Sequence, residues 1–229
     1  MKQDDLLRRL FLCDGGPHSL SSAMSARSGS GKTTLLSSLI SQATKMEDFK
    51  EQRFVYCSLK HENPFPDAPV VTDRVTLKKT LRKNRIVVFY PLNPEQYERD
   101  IDDIIEAVFD LAHVNEDTGF HLTIDDSNIL KGFSNTGRPS GSVMKLAIAG
   151  RSKGVRGLFI THRLGNLPRI MNSNLSSLLL LSMNASDNEY AQKVFGLDFT
   201  DLISDLTAFR WSVVDLIEEK IHRFDPIAL

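Results

Sequence analysis

Short apolar runs alternate with longer amphipathic stretches along the chain. The apolar runs combine β-branched, aromatic and small residues, and they predict strands. We expect these strands at 19–25, 54–59, 86–90, 120–124, 157–161 and 175–183. Apolar positions with helical periodicity predict helices at 33–43, 94–112, 143–150 and 186–195. Strands and helices that take turns in this way indicate a mostly parallel sheet with helices on both faces.

The two ends of the chain depart from this alternation. Residues 4–12 place apolar positions among charges, which predicts a short amphipathic helix. Segments 209–215 and 220–224 flank a polar turn and predict a C-terminal β-hairpin. We therefore expect an N-terminal extension at 1–18 and one α/β domain at 19–229.

The composition is that of an ordinary globular protein. The chain has 229 residues, 41% hydrophobic and 25% charged, and its 28 basic residues nearly balance 29 acidic ones. Near-neutrality removes one argument for nucleic-acid binding without excluding it, because charge can be concentrated on one surface. We expect no membrane span, since no apolar run is long enough, and no signal peptide. Cys13 and Cys57 lack metal-ligand spacing and are expected to be reduced intracellular thiols.

A glycine-bearing segment follows the first predicted strand and precedes a predicted helix. It fits the phosphate-loop pattern Ala/Gly-x-x-x-x-Gly-Lys-Ser/Thr, in which the glycines let backbone N–H groups turn around a phosphate. Lys32 is expected to reach the β- and γ-phosphates of ATP, and the Thr33 hydroxyl to coordinate Mg²⁺. A chance Gly-Ser linker would lack this strand and helix context. The residues predicted to bind nucleotide are Ala26, Arg27, Ser28, Gly29, Ser30, Gly31, Lys32, Thr33 and Thr34.

Two carboxylates end the predicted strand at 120–124. Asp125 suits a Mg²⁺ ligand, the Walker B role, and Asp126 suits orientation of the attacking water or general-base work. Motor ATPases mostly carry Glu at the second position, so the shorter Asp126 must approach closer or act through another water. Without the phosphate loop, a solvated strand end would be an equally good interpretation.

A basic block precedes the strand at 157–161, and polar residues follow that strand. Arg151 lies where an arginine could face a neighbouring subunit's nucleotide, and His162 lies where a polar group could contact the γ-phosphate. From these residues alone, a solvated basic face formed by Arg151, Lys153 and Arg156 is the favoured interpretation.

The order of these blocks resembles the FtsK–HerA superfamily of DNA-pumping ATPases, and within it the genome-packaging ATPases of poxviruses and tectivirus-type phages. The resemblance covers roughly 20–224. It rests on Ser28-Gly29-Ser30-Gly31-Lys32-Thr33, Ile124-Asp125-Asp126, Gly150-Arg151-Ser152, Leu158-Phe159-Ile160-Thr161-His162-Arg163, Leu167-Pro168, the predicted strand at 178–183 and Ala185-Ser186-Asp187-Asn188-Glu189.

This resemblance implies a P-loop NTPase fold of the RecA-like (ASCE) type, with an extra strand between the phosphate-loop strand and the acidic strand. It implies ATP and Mg²⁺ as cofactors, with Thr33 and Asp125 on the metal. It also implies a homo-oligomeric ring, expected to be hexameric, around double-stranded DNA. Arg151 would be the arginine finger, and His162 stands where the family usually has Gln, which puts its sensor role in question. Capsid or portal-vertex proteins would be partners, in the host cytoplasm and at the packaging vertex of the virion.

Two segments are candidates for DNA contact, the basic run at 78–85 and the loop at 131–142. A translocating ring grips phosphates rather than bases, because its cargo has any sequence. Three other functions stay open: a cellular or plasmid DNA pump, a nucleotide-switched assembly protein with little turnover, and a small-molecule phosphotransferase.

Overall fold

The structure, a computed structural model, describes residues 2–12, 20–114, 118–134, 136–205 and 211–225. Within these ranges the chain forms a nine-stranded sheet in the order β3-β4-β2-β5-β6-β1-β7-β8-β9. The strands are β1 (Ser21–Ser25), β2 (Gln52–Ser58), β3 (Val70–Val71), β4 (Ile86–Phe89), β5 (Gly119–Asp125), β6 (Val155–Thr161), β7 (Leu175–Leu180), β8 (Trp211–Asp215) and β9 (Lys220–Phe224). All neighbours from β3 to β7 pair in parallel, whereas β8 and β9 are antiparallel.

Helices cover both faces of the sheet. They are α1 (Gln3–Phe11), α2 (Lys32–Ala43), α3 (Arg74–Leu81), α4 (Tyr97–Val114), α5 (Gly141–Ala149), α6 (Arg169–Asn172), α7 (Ala185–Phe195) and α8 (Thr200–Asp205). Alternate residues of each strand point to opposite faces, so Phe54 and Tyr56 join α1 and α2 in one core while Val55 and Cys57 join α3, α4, α5 and α7 in the other. None of the described helices has both the length and the apolarity that a membrane span requires.

The predicted fold class is confirmed. The sheet is mostly parallel, helices flank it, a β-hairpin closes it, and β6 lies between β1 and β5 as the resemblance implied. The predicted hairpin residues 209 and 210 lie outside the described part of the chain, as does Cys13, whereas Cys57 is a buried thiol.

Four elements were not predicted: β3, α3, α6 and α8. Strand β3 has two residues and α6 a single turn, too little for a periodic signal. Helix α3 carried a readable signal, because Asp73 caps it by accepting from the Thr76 N–H at 2.9 Å, and Leu77 and Leu81 are buried one turn apart. The basic residues of 78–85 overlap the end of this helix and dilute its apolar periodicity.

Helix α1 packs into the same core as α2. Its buried stripe consists of Leu6, Leu7, Leu10 and Phe11, and Arg9 forms ion pairs with Asp215 and Glu218 of the C-terminal hairpin. The predicted amphipathic helix is therefore present and covers one face of the sheet. The domain boundary at residue 18 stays a prediction.

Candidate nucleotide site

The phosphate loop leaves β1 at the sheet edge where β6 also ends. The Ala26 N–H donates to the Thr161 carbonyl at 3.1 Å, and the Arg27 N–H donates to the Ser182 hydroxyl at 2.8 Å. A turn then brings the Ser30 N–H to the Arg27 carbonyl at 3.2 Å. Ala26 is fully buried, which fits a small residue at the first position of the motif.

The loop's glycines set its curvature. Gly29 and Gly31 have φ angles of 75° and 84°, a region that glycine enters without steric cost. A Cβ on Gly29 would meet nothing within 4 Å, so the requirement there is conformational rather than spatial. Helix α2 begins at Lys32, and no described side chain caps its first turn. The first N–H groups of α2 are thus donors available to an anion.

Asp125, at the end of β5, is buried and held mainly by neutral donors. The Tyr56 hydroxyl donates to Asp125 Oδ2, and the Asp126 N–H donates to Oδ1 at 2.9 Å. The Thr33 side chain acts on the pKa of Tyr56 and lowers it, so the Tyr56 hydroxyl lies beside both side chains predicted to hold Mg²⁺. Burial raises the pKa of Asp125, against the effects of the Tyr56 hydrogen bond and the Lys32 charge. Burial also raises the pKa of Tyr56, which keeps the hydroxyl a proton donor.

Asp126 lies between two basic side chains. Lys60 Nζ is 2.7 Å from Asp126 Oδ2, and His162 Nε2 is 3.0 Å from Oδ1, although the second contact lacks good hydrogen-bond alignment. The Asp126 side chain is 5% exposed, against 45% for Lys60 and 30% for His162. The pKa of Lys60 is raised, and the main cause is the interaction of its ammonium with the Asp126 carboxylate. The carboxylate predicted to position water is therefore buried, and its two basic partners separate it from solvent.

Several buried polar atoms at this edge have no hydrogen-bond partner among the described residues. They follow or end strands β1, β5 and β6: Ser25 Oγ, Asp126 Oδ1, Asn128 Oδ1 and His162 Nδ1. Buried polar atoms are nearly always paired, so a concentration of unpaired ones indicates groups that a ligand or water satisfies. Together with Lys32, Thr33 and the open N-terminus of α2, these groups fit a nucleoside triphosphate with Mg²⁺.

Arg151 does not join this cluster. It is exposed in a short 3₁₀ turn before β6, and the seven residues of β6 separate it from the nucleotide edge by about 20 Å. It cannot serve the nucleotide of its own chain, which leaves a role toward a neighbouring subunit as the prediction. The expectation of a basic face is wrong for Arg156, which is 2% exposed within β6.

The two segments considered for DNA differ in how much charge they leave available. In the run at 78–85, Lys78 pairs with Asp110 at 2.9 Å and Arg85 donates to backbone carbonyls, so part of its charge is structural. The loop at 131–142, of which residue 135 lies outside the description, exposes Lys131 and Arg138 on the same sheet edge as the nucleotide site.

Tyr56 and Lys60 were missed as site residues. Both belong to β2 or the turn that follows it, and the sequence offers no phosphate-loop-like motif there. One signal was available: in a parallel sheet the carboxyl ends of neighbouring strands meet, so polar residues near the end of any strand beside β5 are site candidates.

Fold and site together define a P-loop nucleotide-binding architecture with one strand between the phosphate-loop strand and the acidic strand. No protein-family model matches the chain, and no curated protein does so either.

Solved structures do match. The genome packaging NTPase B204 from Sulfolobus turreted icosahedral virus 2, in complex with ATP-gammaS, has a TM-score of 0.75 at 15% identity, covering 92% of this chain and 98% of that one. VirB4 of Thermoanaerobacter pseudethanolicus has a TM-score of 0.64 at 9% identity, covering 91% and 89%. The cytoplasmic domain of the Thermomonospora curvata type VII secretion ATPase EccC gives 0.57 at 18%, covering 90% of this chain and 25% of that one. At these identities the likeness shows the fold, and it agrees with the resemblance drawn from the motifs.

Proposed function

We propose that the chain is an ATPase that pumps double-stranded DNA, and that it packages a viral genome into a preformed capsid. The observation that carries the proposal is the placement of Lys32, Thr33, Asp125, Asp126 and His162 at one edge of a sheet whose order matches the B204 fold. These groups come from three separate stretches of the sequence.

Each residue has a distinct part in the proposed hydrolysis. Lys32 and the first N–H groups of α2 bind the phosphates, and Thr33 and Asp125 hold Mg²⁺, which supplies charge neutralisation at the phosphates. Asp126 orients the attacking water and accepts its proton. His162 can donate to the terminal phosphate, because imidazole supplies a donor where the family's Gln would supply an amide.

Arg151 gives the proposal its oligomeric character. Because it stands at the opposite edge of the sheet from its own phosphate loop, it could reach a nucleotide only across a subunit boundary. A guanidinium supplied in this way stabilises charge in the transition state and couples turnover to assembly. We therefore propose a homo-oligomeric ring, a hexamer by resemblance, with DNA in its channel.

The loop at 131–142 is the proposed DNA contact. It begins just after Asp126 and the turn Ser127–Ile129, and ends at α5, so a change at the acidic residues can move Lys131 and Arg138. Contacts with capsid or portal-vertex proteins, and an action in the host cytoplasm and at the virion's packaging vertex, belong to the same proposal and rest on the resemblance.

The test is ATP hydrolysis with and without long duplex DNA, for wild type, Lys32→Ala and Arg151→Ala. We expect DNA to stimulate turnover, both substitutions to abolish it, and a mixture of the two variants to recover part of it, because mixed subunits restore complete shared sites. Lys153→Ala is the matched control, since Lys153 is also exposed in the same 3₁₀ turn and is expected to behave as wild type.

The rival functions predict different results. Turnover that ignores DNA, with Arg151→Ala as active as wild type, would leave the nucleotide site but refute the ring motor. Nucleotide binding with negligible turnover would favour a switched assembly protein. Phosphoryl transfer to a small acceptor by a monomer would favour a phosphotransferase.

A further inference from the structure

Two exposed isoleucines lie on the elements around Arg151. Ile148 is in the last turn of α5 and is 55% exposed, and Ile170 is in α6 and is 52% exposed. Helices α5 and α6 are in contact, and Arg151 follows the end of α5 after a single glycine. A single exposed apolar residue is ordinary on a protein surface, whereas two of them beside an arginine indicate a surface for a protein partner.

The turn that carries Arg151 is closely packed. At Gly150 a Cβ would lie 2.3 Å from the Val155 carbonyl oxygen and 2.5 Å from that of Leu146, so the end of α5 meets the start of β6 directly. The Gly150 carbonyl accepts from the N–H groups of Lys153 and Val155, both at 2.9 Å. The backbone at Arg151 is therefore held in place beside Ile148.

Helix α6 is anchored from the side opposite Ile170. Met171 is fully buried, and its N–H donates to the Pro168 carbonyl at 2.9 Å. The Asn172 amide donates to the Tyr190 hydroxyl at 3.0 Å. Since its two neighbours on the helix are buried and bonded, Ile170 stays on the solvent side of this turn.

These three residues form what we call the docking surface: Ile148, Arg151 and Ile170. The Arg151 guanidinium has no hydrogen-bond or ion-pair partner among the described residues. The docking surface thus combines apolar area with a cation that the described part of the chain does not neutralise. A partner that fits must offer apolar side chains and an anion.

The opposite edge of the same chain offers both features. Leu92 follows β4 and Ile129 follows β5, and both side chains are exposed at the edge where the parallel strands end. The phosphate loop and the uncapped N-terminus of α2 lie at this edge as well, so a bound triphosphate would supply the anion.

We propose that the docking surface binds the nucleotide edge of a second copy of this chain, in a head-to-tail contact. The two surfaces lie at opposite ends of the strands, so each contact leaves one of each free and repetition can close a ring. A contact of the docking surface with itself would instead bring two Arg151 guanidinium groups together, which charge repulsion disfavours. This inference rests on the proposed function and names the surface through which Arg151 would reach the next subunit's nucleotide.

The first test is turnover per subunit as a function of protein concentration. Ile148→Gln and Ile170→Gln should each raise the concentration of half-maximal turnover about tenfold, because each removes an apolar side chain from the contact, and both should reach the wild-type rate at saturating protein. Val75→Gln is the matched control, since Val75 is 61% exposed on α3 and should leave the curve unchanged. Unchanged curves for both isoleucine variants, or a lower rate at saturation, would overturn the proposal.

The second test shows whether the isoleucines act on the same face as Arg151. The double variant Ile148→Gln/Ile170→Gln is mixed with Lys32→Ala or with Arg151→Ala, at a concentration where it is inactive alone. Lys32→Ala should restore part of the turnover, because its intact docking surface completes the nucleotide site of the double variant. Arg151→Ala should restore none, because its docking surface lacks the guanidinium. Recovery with Arg151→Ala, or none with Lys32→Ala, would refute the proposed contact.

The two proposals fail separately. If wild type hydrolyses no ATP under any condition, the proposed function fails, while sedimentation with Mg²⁺ and a non-hydrolysable ATP analogue still tests the contact. In that measurement Ile148→Gln should associate about tenfold more weakly than wild type and Val75→Gln, and equal association of all three would overturn the docking surface. If wild type hydrolyses ATP and the isoleucine variants behave as wild type, the function stands and the docking surface does not.

Discussion

Strands β5 and β6 carry polar side chains at both of their ends, and the two ends hold them in different ways. Near the amino ends, His121 and Arg156 are paired in register and buried at 4% and 2% exposure. Beyond the carboxyl ends, Asp126 and His162 meet at the candidate site, where Asp126 is buried and His162 is 30% exposed. The same strands therefore allow a comparison between polar groups that are packed in the protein interior and polar groups at the candidate ligand site.

The amino-end cluster is closely packed. His121 lies 3.1 Å from Gln52 Oε1, stacks on Phe54 with centroids 4.7 Å apart, and meets the edge of Phe11 at 5.7 Å. Helix α1 supplies Phe11, so this helix covers the cluster.

The buried arginine of this cluster is held by small hydroxyls. Arg156 donates to Ser22 at 3.0 Å and to Ser176 at 2.9 Å, so β1 and β7 both contribute to its surroundings. This contact explains why small residues occur in β1, because bulkier side chains would leave no room for the guanidinium.

The carboxyl-end cluster is left incomplete. Atoms of Ser25, Asp126, Asn128 and His162 are buried without a hydrogen-bond partner among the described residues. The difference teaches that burial of a polar residue does not by itself indicate function. Unpaired buried atoms support a ligand site where they gather beside a phosphate loop and an acidic strand end. The following predictions test that distinction, beginning with the largest expected change in free energy.

Asp126→Asn should lower kcat by about 10²- to 10⁴-fold, because the amide cannot accept a proton from water. Nucleotide affinity and the melting temperature should change little, since Asn keeps the shape and stays near Lys60 and His162. Steady-state kinetics and calorimetry on the same preparation measure both quantities. A loss of kcat below about threefold would show that Asp126 does not perform the chemistry.

Phe11→Ala should lower the free energy of unfolding by about 3 kcal/mol, because it removes a 3% exposed ring that packs on Phe54 and His121. We expect kcat per folded molecule to stay at the wild-type value. Chemical denaturation and active-site-normalised turnover check the two parts. An equal loss of kcat would mean that the two ends of the strands are coupled, so that packing at the amino ends controls the geometry of the nucleotide site.

The sequence predicted the fold, and the residues of its motifs lie together at one edge of the sheet, for a physical reason. A phosphate loop, an acidic strand end and a parallel sheet constrain one another, because all three must meet at one edge. Tyr56, Lys60 and the buried Arg156 escaped prediction, since their roles depend on which strands become neighbours, and no local pattern encodes that order.

Tyr56→Phe should weaken Mg²⁺ binding by about 10- to 100-fold, the usual cost of removing a group that holds a metal ligand in place. The lost hydroxyl donates to Asp125 and lies beside Thr33. Titration of Mg²⁺ against a fluorescent ATP analogue bound to the protein measures this directly. Tyr90→Phe is the matched control. Tyr90 follows β4, and β2 separates β4 from the acidic strand β5. Equal Mg²⁺ affinity in both variants would exclude Tyr56 from the metal site.

The smallest effect concerns acid stability and the buried His121. Burial, and then the Arg156 charge, hold the pKa of His121 well below its ordinary value of 6.5. Protonation therefore favours the unfolded chain, so the stability that His121 allows is complete above about pH 6.5 and declines below it, by up to about 1.4 kcal/mol per pH unit. His121→Phe should flatten the decline between about pH 6.5 and 5, whatever its effect on stability at neutral pH. Denaturant titrations of both proteins across that range give the slope of the free energy of unfolding against pH. Identical slopes would mean that His121 accepts a proton in the folded protein without a loss of stability, which would contradict its burial in the amino-end cluster.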